Sequence, residues 1–272
     1  MKNYTLDAKR YTLRVGWLYP DLMSTYGDRG NIICLQKRCE WRGINTEVVD
    51  LDLGFKINDL KKCDLLFMGG AQDRQQKIVM EDLEGEKAQT LIDAIEKDVV
   101  GLYICGAYQF LGKYYKEADG TIIRGLSALD LYTENPGENH KRLIGNIVIQ
   151  VCHSELVSGS RDSDLRQNDE EKTLVGFENH GGRTYLGKGV KPLGKVISGF
   201  GNNETDNTEG AVYKNSFGTY LHGPILPKNP HFADYLISKA LEVKYKKIID
   251  LSPLDDSLEN LAHETIFKKM VL

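Results

Sequence analysis

The chain has 272 residues, of which 41% are hydrophobic and 27% are charged, and its formal net charge is −4. This composition is ordinary for a globular protein, and the sequence lacks the basic block that nucleic-acid binding would require. No apolar run reaches the roughly 18 residues of a membrane span, and the polar start shows no signal peptide. Five cysteines without CxxC spacing indicate a reduced, cytoplasmic protein without disulfides or structural zinc.

Strands and helices alternate through the first half of the chain. An apolar first strand is followed by a polar loop and a helix with apolar residues at helical spacing. The predicted strands cover residues 13–19, 46–51, 63–68 and 99–104, and a largely helical segment covers residues 73–97. This alternation predicts an α/β fold with a mostly parallel sheet flanked by helices. In such sheets, functional sites form at the carboxyl ends of the strands.

The second half has short strands of alternating apolar and polar residues, which indicate antiparallel additions to the fold. These predicted strands cover residues 143–151, 173–177, 195–197, 211–214 and 217–221. Helices are predicted at residues 229–243 and near 254–270. Residues 154–172 are polar and charged, so they are interpreted as an exposed loop or hairpin tip.

Cys105 is the strongest candidate for chemistry. It ends the strand at 99–104, and Gly106 and a helix-prone run follow it. A strand, a sharp turn and a helix are typical of a nucleophile elbow. The helix amides and dipole would favour the reactive thiolate form of a cysteine in that turn. The alternative is a small, inert core cysteine.

A nucleophilic cysteine needs a base within hydrogen-bond reach. His222 is preferred because it directly follows the apolar strand at 217–221, and His180 is the competing candidate. The other histidines lie in polar surroundings and are expected to be solvated: His140, His153, His231 and His263. Cys152 and His153 form an adjacent pair, but two ligands without further partners are weak evidence for a metal site.

An acyl intermediate also needs amide donors for its oxyanion. The amide of Gly106 is one natural donor, and an amide from residues 69–71, with Gly70 preferred, is the other. Residues 189–196 imitate a phosphate-binding loop, but Val196 replaces the required Ser or Thr and Pro192 interrupts the segment. The sequence therefore predicts no nucleotide site.

Five segments in one order resemble a known family. They read YGDRGN at 26–31, GGAQDR at 69–74, ICGAYQ at 104–109, GFENHGGRT at 176–184 and GTYLHGPILP at 218–227. The chain is thereby similar to the class I glutamine amidotransferases of the cobyric-acid-synthase type. Within them it most closely resembles the glutaminase subunits of lipid II isoglutaminyl synthases. The resemblance implies a glutaminase domain at residues 1–243, followed by a C-terminal helical tail at 244–272.

The resemblance also implies a division of labour between two subunits. Cys105 and His222 would hydrolyse L-glutamine to glutamate and ammonia, with no cofactor in this chain. A Mur-ligase-like, ATP-dependent partner subunit, holding ATP and Mg²⁺, would use the ammonia in a heterodimer. It would amidate the D-glutamate of the lipid II stem peptide to D-isoglutamine in peptidoglycan biosynthesis. Two alternatives share parts of this pattern: a cobyric-acid-synthase-type amidotransferase, and a non-catalytic scaffold subunit of a ligase.

Two departures and one further motif refine the expected site. Tyr103 stands where the broader class often has glycine, and Pro224 stands where many members have the glutamate that orients the histidine. The site is therefore expected to use a Cys–His dyad or an acid from the partner. The resemblance implies that Arg142, in an Arg-Leu-x-Gly-x-Ile-Val-Ile pattern, binds the substrate carboxylate. Gln109 is a second expected contact, and Arg183 is the reserve candidate.

Overall fold

The structure of the protein is a computed structural model that describes residues 11–152 and 173–272. The predicted loop at 154–172 and His153 therefore lie outside the described residues. The strands are β1 (Thr12–Leu18), β2 (Asn45–Leu51), β3 (Leu65–Met68), β4 (Val100–Ile104), β5 (Tyr114–Lys116), β6 (Ile122–Arg124), β7 (Leu131–Glu134), β8 (Leu143–Val151), β9 (Thr173–His180), β10 (Arg183–Leu186), β11 (Gly194–Ser198), β12 (Thr208–Glu209), β13 (Ala211–Tyr213) and β14 (Ser216–Thr219). The α-helices are α1 (Arg29–Trp41), α2 (Ile57–Leu60), α3 (Asp73–Asp82), α4 (Gly85–Glu96), α5 (Gly106–Leu111), α6 (Pro230–Tyr245) and α7 (Ser257–Val271).

The main sheet has the strand order β13-β14-β4-β3-β1-β2. Its strands pair in parallel except for β13, which is antiparallel to β14. The predicted α/β class with a mostly parallel sheet is confirmed. Because parallel strands end at the same edge, the segments that follow β1, β3, β4 and β14 meet there. This edge carries the candidate site.

Two smaller sheets supply the antiparallel additions, with strand orders β10-β7-β5-β6 and β12-β11-β8-β9. The sequence did not predict β5, β6, β7, β10 or β12, because strands of two to four residues are too short for an alternating pattern to stand out. Strand β9 continues beyond the predicted end at Phe177 to His180. It pairs with β8 over its whole length, which extends it through the polar residues.

The strand before His222 is shorter than predicted, ending at Thr219 instead of Leu221. The physical reason is a change of hydrogen-bond acceptor. The amide of Tyr220 donates to the Glu209 carboxylate, and the amide of Leu221 donates to the Thr219 hydroxyl. Side chains thus replace the neighbouring strand as partners for these two amides.

Helix α1 attaches to the C-terminal part of the chain through a buried arginine. Arg38 is 1% exposed, and its guanidinium donates to Asp234 and to Asp256 at 2.6–2.9 Å. Asp234 lies on α6, and Asp256 directly precedes α7. One cation therefore links three segments that are far apart in the sequence.

Replacing Arg38 with alanine is expected to lower the free energy of unfolding by about 3 kcal/mol, because it leaves the partly buried Asp256 without its cation and Asp234 with Arg42 alone. Lys37→Ala is the matched control on the same helix. Lys37 pairs with Glu40 at an exposed site, so its loss is expected to cost less than about 1 kcal/mol. Urea denaturation measures both values. Equal effects of the two substitutions would show that the buried network adds nothing to stability.

Two histidines that were expected to be solvated are not, which corrects that prediction. His263 of α7 is buried, with its ring nitrogens against Thr173 Oγ1, Asn229 Oδ1 and the Lys228 carbonyl. His231 packs 5.9 Å from His263, and burial lowers the pKa of His231 to about 4. Both rings lie where α7 covers β8 and β9, a contact that the polar local sequence does not reveal. His140 is exposed, as predicted.

The helices of the described segments include none that is both long and apolar enough to cross a membrane.

Candidate active site

Cys105 lies between the end of β4 and the start of α5 in a conformation that few residues adopt. Its φ is +51° and its ψ is −105°, outside the regions that favour residues with a side chain. The backbone holds it there, since its amide donates to the Thr219 carbonyl and its carbonyl accepts from the Gln109 amide. These bonds tie the turn to β14 on one side and to α5 on the other. The thiol therefore stands at the carboxyl edge of the main sheet.

His222 lies at the same edge, directly beside Cys105. A Cβ atom placed on Gly70 would be 2.8 Å from His222 Cε1 and 3.2 Å from Cys105 Cβ, so Gly70 lies against both side chains. Two backbone hydrogen bonds with Phe177 of β9, of 2.8 and 3.2 Å, hold His222 in position. The Tyr26 ring packs edge-on to the His222 ring at 5.0 Å and covers it. The structure thus brings the two principal sequence-predicted residues together.

A buried carboxylate, which the sequence did not predict, completes this arrangement. Asp28 is fully buried, and its Oδ1 atom lies 3.3 Å from His222 Nδ1. The expectation of a bare Cys–His dyad or a partner-supplied acid is therefore corrected, because this chain has its own carboxylate at the histidine. The sequence around His222 does not indicate Asp28, because Asp28 lies 194 positions earlier in the chain. The available signal was its place in the YGDRGN segment.

The protonation of His222 is controlled by its two neighbours. Burial by itself lowers the pKa of an imidazole, but the charge of Cys105 and the hydrogen bond and charge of Asp28 raise the pKa of His222 to about 10. The imidazolium form is thus favoured at neutral pH. An imidazolium next to a cysteine can hold a thiolate as an ion pair and can later release its proton to a leaving group.

Gly70, one of the two predicted oxyanion donors, has an occupied amide. Its N–H donates to Asp28 Oδ2 at 2.7 Å, so the same carboxylate holds both Gly70 and His222. The amide of Ala71, also within the predicted segment, lies 3.2 Å from the point where a Cβ on Gly106 would stand. Gln76 fixes the Ala71 peptide by donating to its carbonyl at 3.0 Å. The geometry therefore favours Ala71 as the companion of Gly106.

A cavity of about 220 Å³ opens beside Cys105 and His222. Arg142, the predicted carboxylate binder, lines it. Its Nε donates to Asn179 Oδ1 at 3.0 Å and its Nη2 to the Asn179 carbonyl at 2.9 Å. Asn179 in turn donates to the Tyr26 hydroxyl at 3.0 Å. These contacts orient the guanidinium plane toward the cavity without neutralising its charge.

Gln109 also lines the cavity, but its side chain is already engaged on both sides. Its Nε2 donates to the Tyr220 hydroxyl at 3.1 Å, and its Oε1 accepts from Gln76 at 3.4 Å. The Tyr220 hydroxyl also lies 2.6 Å from Thr184 Oγ1. Gln109 therefore belongs to a buried polar network that forms the cavity wall, which the sequence did not reveal.

His180, the competing base, is committed to a different set of contacts. Its Nδ1 lies 2.7 Å from the Gly182 carbonyl, and its ring stacks on Tyr220 at 3.6 Å. Burial lowers the pKa of His180, which favours the neutral ring. Arg183, the reserve carboxylate binder, donates to the carbonyls of Gly181 and Lys141 instead of lining the cavity. Both residues support the walls of the site.

Among residues 11–152 and 173–272, no group of three or more His, Cys, Asp or Glu side chains is arranged to hold a metal ion.

Comparison with known proteins gives consistent results. The family description "CobB/CobQ-like glutamine amidotransferase domain" matches residues 14–230. The chain is 46% identical to the lipid II isoglutaminyl synthase (glutamine-hydrolyzing) subunit GatD of Staphylococcus aureus, over 82% of each chain. It is 42% identical to the GatD subunit of Streptococcus pneumoniae, over 93% of this chain and 90% of that one.

More distant similarities agree. The chain is 30% identical to a probable cobyric acid synthase of Methanosphaera stadtmanae, of which it spans only 45%. Among solved structures, the glutaminase domain of Trypanosoma brucei CTPS with bound acivicin aligns over 88% of this chain and 96% of that domain. The TM-score is 0.51 at 12% identity, which is a likeness of fold.

Proposed function

We propose that this chain, which belongs to the CobB/CobQ-like glutamine amidotransferase family, is the glutamine-hydrolysing subunit of a lipid II isoglutaminyl synthase. The observation that carries this proposal is its 42–46% identity to two such subunits over most of their length. The match to a cobyric acid synthase covers less than half of that protein at 30% identity, which favours lipid II over a cobalamin-type acceptor. The Cys105–His222–Asp28 constellation supports a catalytic subunit over a silent scaffold.

In the proposed reaction, the Cys105 thiolate attacks the carbon of the glutamine side-chain amide while His222 holds the proton that the thiol has lost. The amides of Gly106 and Ala71 stabilise the tetrahedral oxyanion. His222 then protonates the departing nitrogen, which leaves as ammonia, and a thioester remains on Cys105. His222 then takes a proton from water as that water attacks the thioester, and glutamate leaves while Cys105 returns to its thiolate.

Asp28 and Arg142 have supporting parts in this mechanism. Because Asp28 occupies Nδ1 of His222, the other ring nitrogen is left to exchange protons with Cys105 and the substrate. Arg142 binds the α-carboxylate of glutamine, since a planar guanidinium matches a carboxylate and Asn179 already fixes its orientation. Gln109 supports the cavity wall.

The ammonia passes to a separate ligase subunit. Both relatives carry subunit names, which supports a complex. We propose that the partner is Mur-ligase-like, that it binds ATP and Mg²⁺, and that it amidates the D-glutamate of lipid II. Together the two chains would form a heterodimer that makes D-isoglutamine for peptidoglycan.

The complex is expected to transfer the amide nitrogen of glutamine to lipid II, and the partner is expected to raise the glutaminase rate of this chain. Glutamine labelled with ¹⁵N in its side-chain amide would be supplied with ATP and lipid II, and the label followed by mass spectrometry. A complex that carries Cys105→Ala should fail with glutamine but still amidate lipid II when ammonium chloride is supplied. Full hydrolysis of glutamine by the isolated chain, at a rate that the ligase does not change, would contradict the proposal. Transfer of the ¹⁵N label to an acceptor other than lipid II would also contradict it.

A further inference from the structure

The cavity beside Cys105 carries a second charged side chain, Asp73. This residue begins α3, directly after the segment that includes Gly70 and Ala71, and it lines the same cavity as Arg142. Apart from the Cys105–His222 pair and Asp28 behind it, the proposed reaction uses only the positive charge of Arg142. A negative charge at the same cavity therefore requires its own explanation.

Neither charge has an ionic partner of its own. Within the described residues, no cation lies within 4 Å of the Asp73 carboxylate, although neighbouring Glu117 pairs with Lys77 at 2.8 Å. Arg142 is oriented by the Asn179 amide and carbonyl, which are uncharged. Burial and the charge of Glu117 raise the pKa of Asp73, and Arg142 is near enough that its charge opposes this rise. Among the described residues that line the cavity, Arg142 thus supplies a cation and Asp73 an anion near each other.

A free α-amino acid carries the complementary pair of charges on a single carbon atom. With its carboxylate on Arg142 and its side-chain amide at Cys105, glutamine leaves its α-ammonium group to be bound. Resting on the proposed function, we propose that Asp73 binds the α-ammonium group of the substrate and so makes the site selective for free L-glutamine. Glutamine amides that lack the α-amino group or have it in a peptide bond would be disfavoured.

This selectivity follows from the chemistry of the Asp73 carboxylate and the substrate ammonium group. A charge-assisted hydrogen bond between a carboxylate and an ammonium is stronger than a neutral one. A substrate without the ammonium cannot form this bond and therefore gains less binding energy at Asp73. An Asp at the start of α3 also favours the helix through its dipole, so a purely structural role must be distinguished by experiment.

The test uses the complex with its ligase subunit and two substrates, L-glutamine and glutaramate, which is glutamine without its α-amino group. Asp73→Asn is expected to lower kcat/KM for glutamine about tenfold or more, mostly through KM. The same variant should change kcat/KM for glutaramate less than about twofold, because that substrate has no ammonium to lose. Arg142→Ala should reduce hydrolysis of both substrates, since both carry the carboxylate.

Asp119→Asn is the matched control. It removes the same charge from an exposed carboxylate near Asp73 that does not line the cavity, and it should leave both substrates unaffected. Melting curves for both variants separate a loss of helix stability from a loss of binding. Equal losses on glutamine and glutaramate, or unchanged glutamine kinetics, would overturn the inference while leaving the proposed function intact. No hydrolysis of glutamine by the wild-type complex would overturn both.

Discussion

The Cys105→Ala variant is expected to lose at least about 10⁴-fold in the rate of glutamine hydrolysis, because the described residues that line the cavity include no other cysteine to form the thioester. The fold should persist. Cys105 is held by backbone bonds to Thr219 and Gln109, and these do not need its sulfur. Glutamate release is measured beside a melting curve. A folded variant that hydrolyses glutamine near the wild-type rate would show that Cys105 is not the nucleophile.

The two candidate histidines provide an internal control for this result. His222→Ala should approach the loss seen for Cys105→Ala, since it removes the group that holds and returns the proton. His180→Ala should lose much less activity, because His180 contacts Gly182 and Tyr220 in the cavity wall. The reverse order of effects would assign the base to His180.

The Asp28→Asn variant is expected to lose about 10⁴-fold in kcat, the loss that follows when the carboxylate behind a catalytic histidine is replaced by an amide. The amide oxygen of asparagine can still accept from Gly70, which turns the NH₂ group toward His222 Nδ1. A donor at Nδ1 favours the tautomer with its proton on Nε2 and prevents an imidazolium. Size and shape are preserved, so the loss reports on charge and tautomer.

The pH profile gives a second readout for this variant. Asp28 helps to raise the pKa of His222 to about 10, so the wild-type enzyme should lose activity on the alkaline side as the pH rises through that range. Without the carboxylate the imidazolium is less favoured, and the alkaline limb should move to lower pH. The apparent pKa of the alkaline limb describes the coupled Cys105–His222 pair, because the two groups titrate together. Asp21→Asn, in the same loop but exposed, should retain the wild-type profile.

An unchanged rate and an unchanged alkaline limb in Asp28→Asn would show that Asp28 does not support His222, and would leave the partner subunit as the source of an acid. The present geometry argues against that outcome. Asp28 is fully buried between His222 and the Gly70 amide, and a carboxylate is kept in such a place only if its oxygens are satisfied. Both oxygens are used, and both partners belong to the site.

Strong local patterns predicted a large part of this molecule. Apolar strands followed by amphipathic helices predicted the parallel sheet. Gly43, with φ of +67°, follows the C-terminal end of α1, a position that favours glycine. The cysteine after β4 is identified by strand–turn–helix order alone, which is a local property. Elements with weak local patterns were not predicted, such as the short strands β5 and β6. The predicted helix at 73–97 is two helices that are separated near Leu83 and Glu84.

What the sequence by itself determined was therefore the class of fold and the residues that stand at strand ends, Cys105 and His222 among them. The tertiary structure decided which groups meet those residues. Asp28 lies 194 positions from His222 in the chain and reaches it only because β1 and β14 end at the same edge of one sheet. The Gly70 amide, predicted as an oxyanion donor, instead binds Asp28, which lies 42 positions earlier in the chain. Hydrogen bonds and ion pairs act between groups that are close in space, whereas the periodicity of apolar residues reflects only neighbours along the chain. The partners of His222 and Gly70 are therefore decided by the tertiary structure.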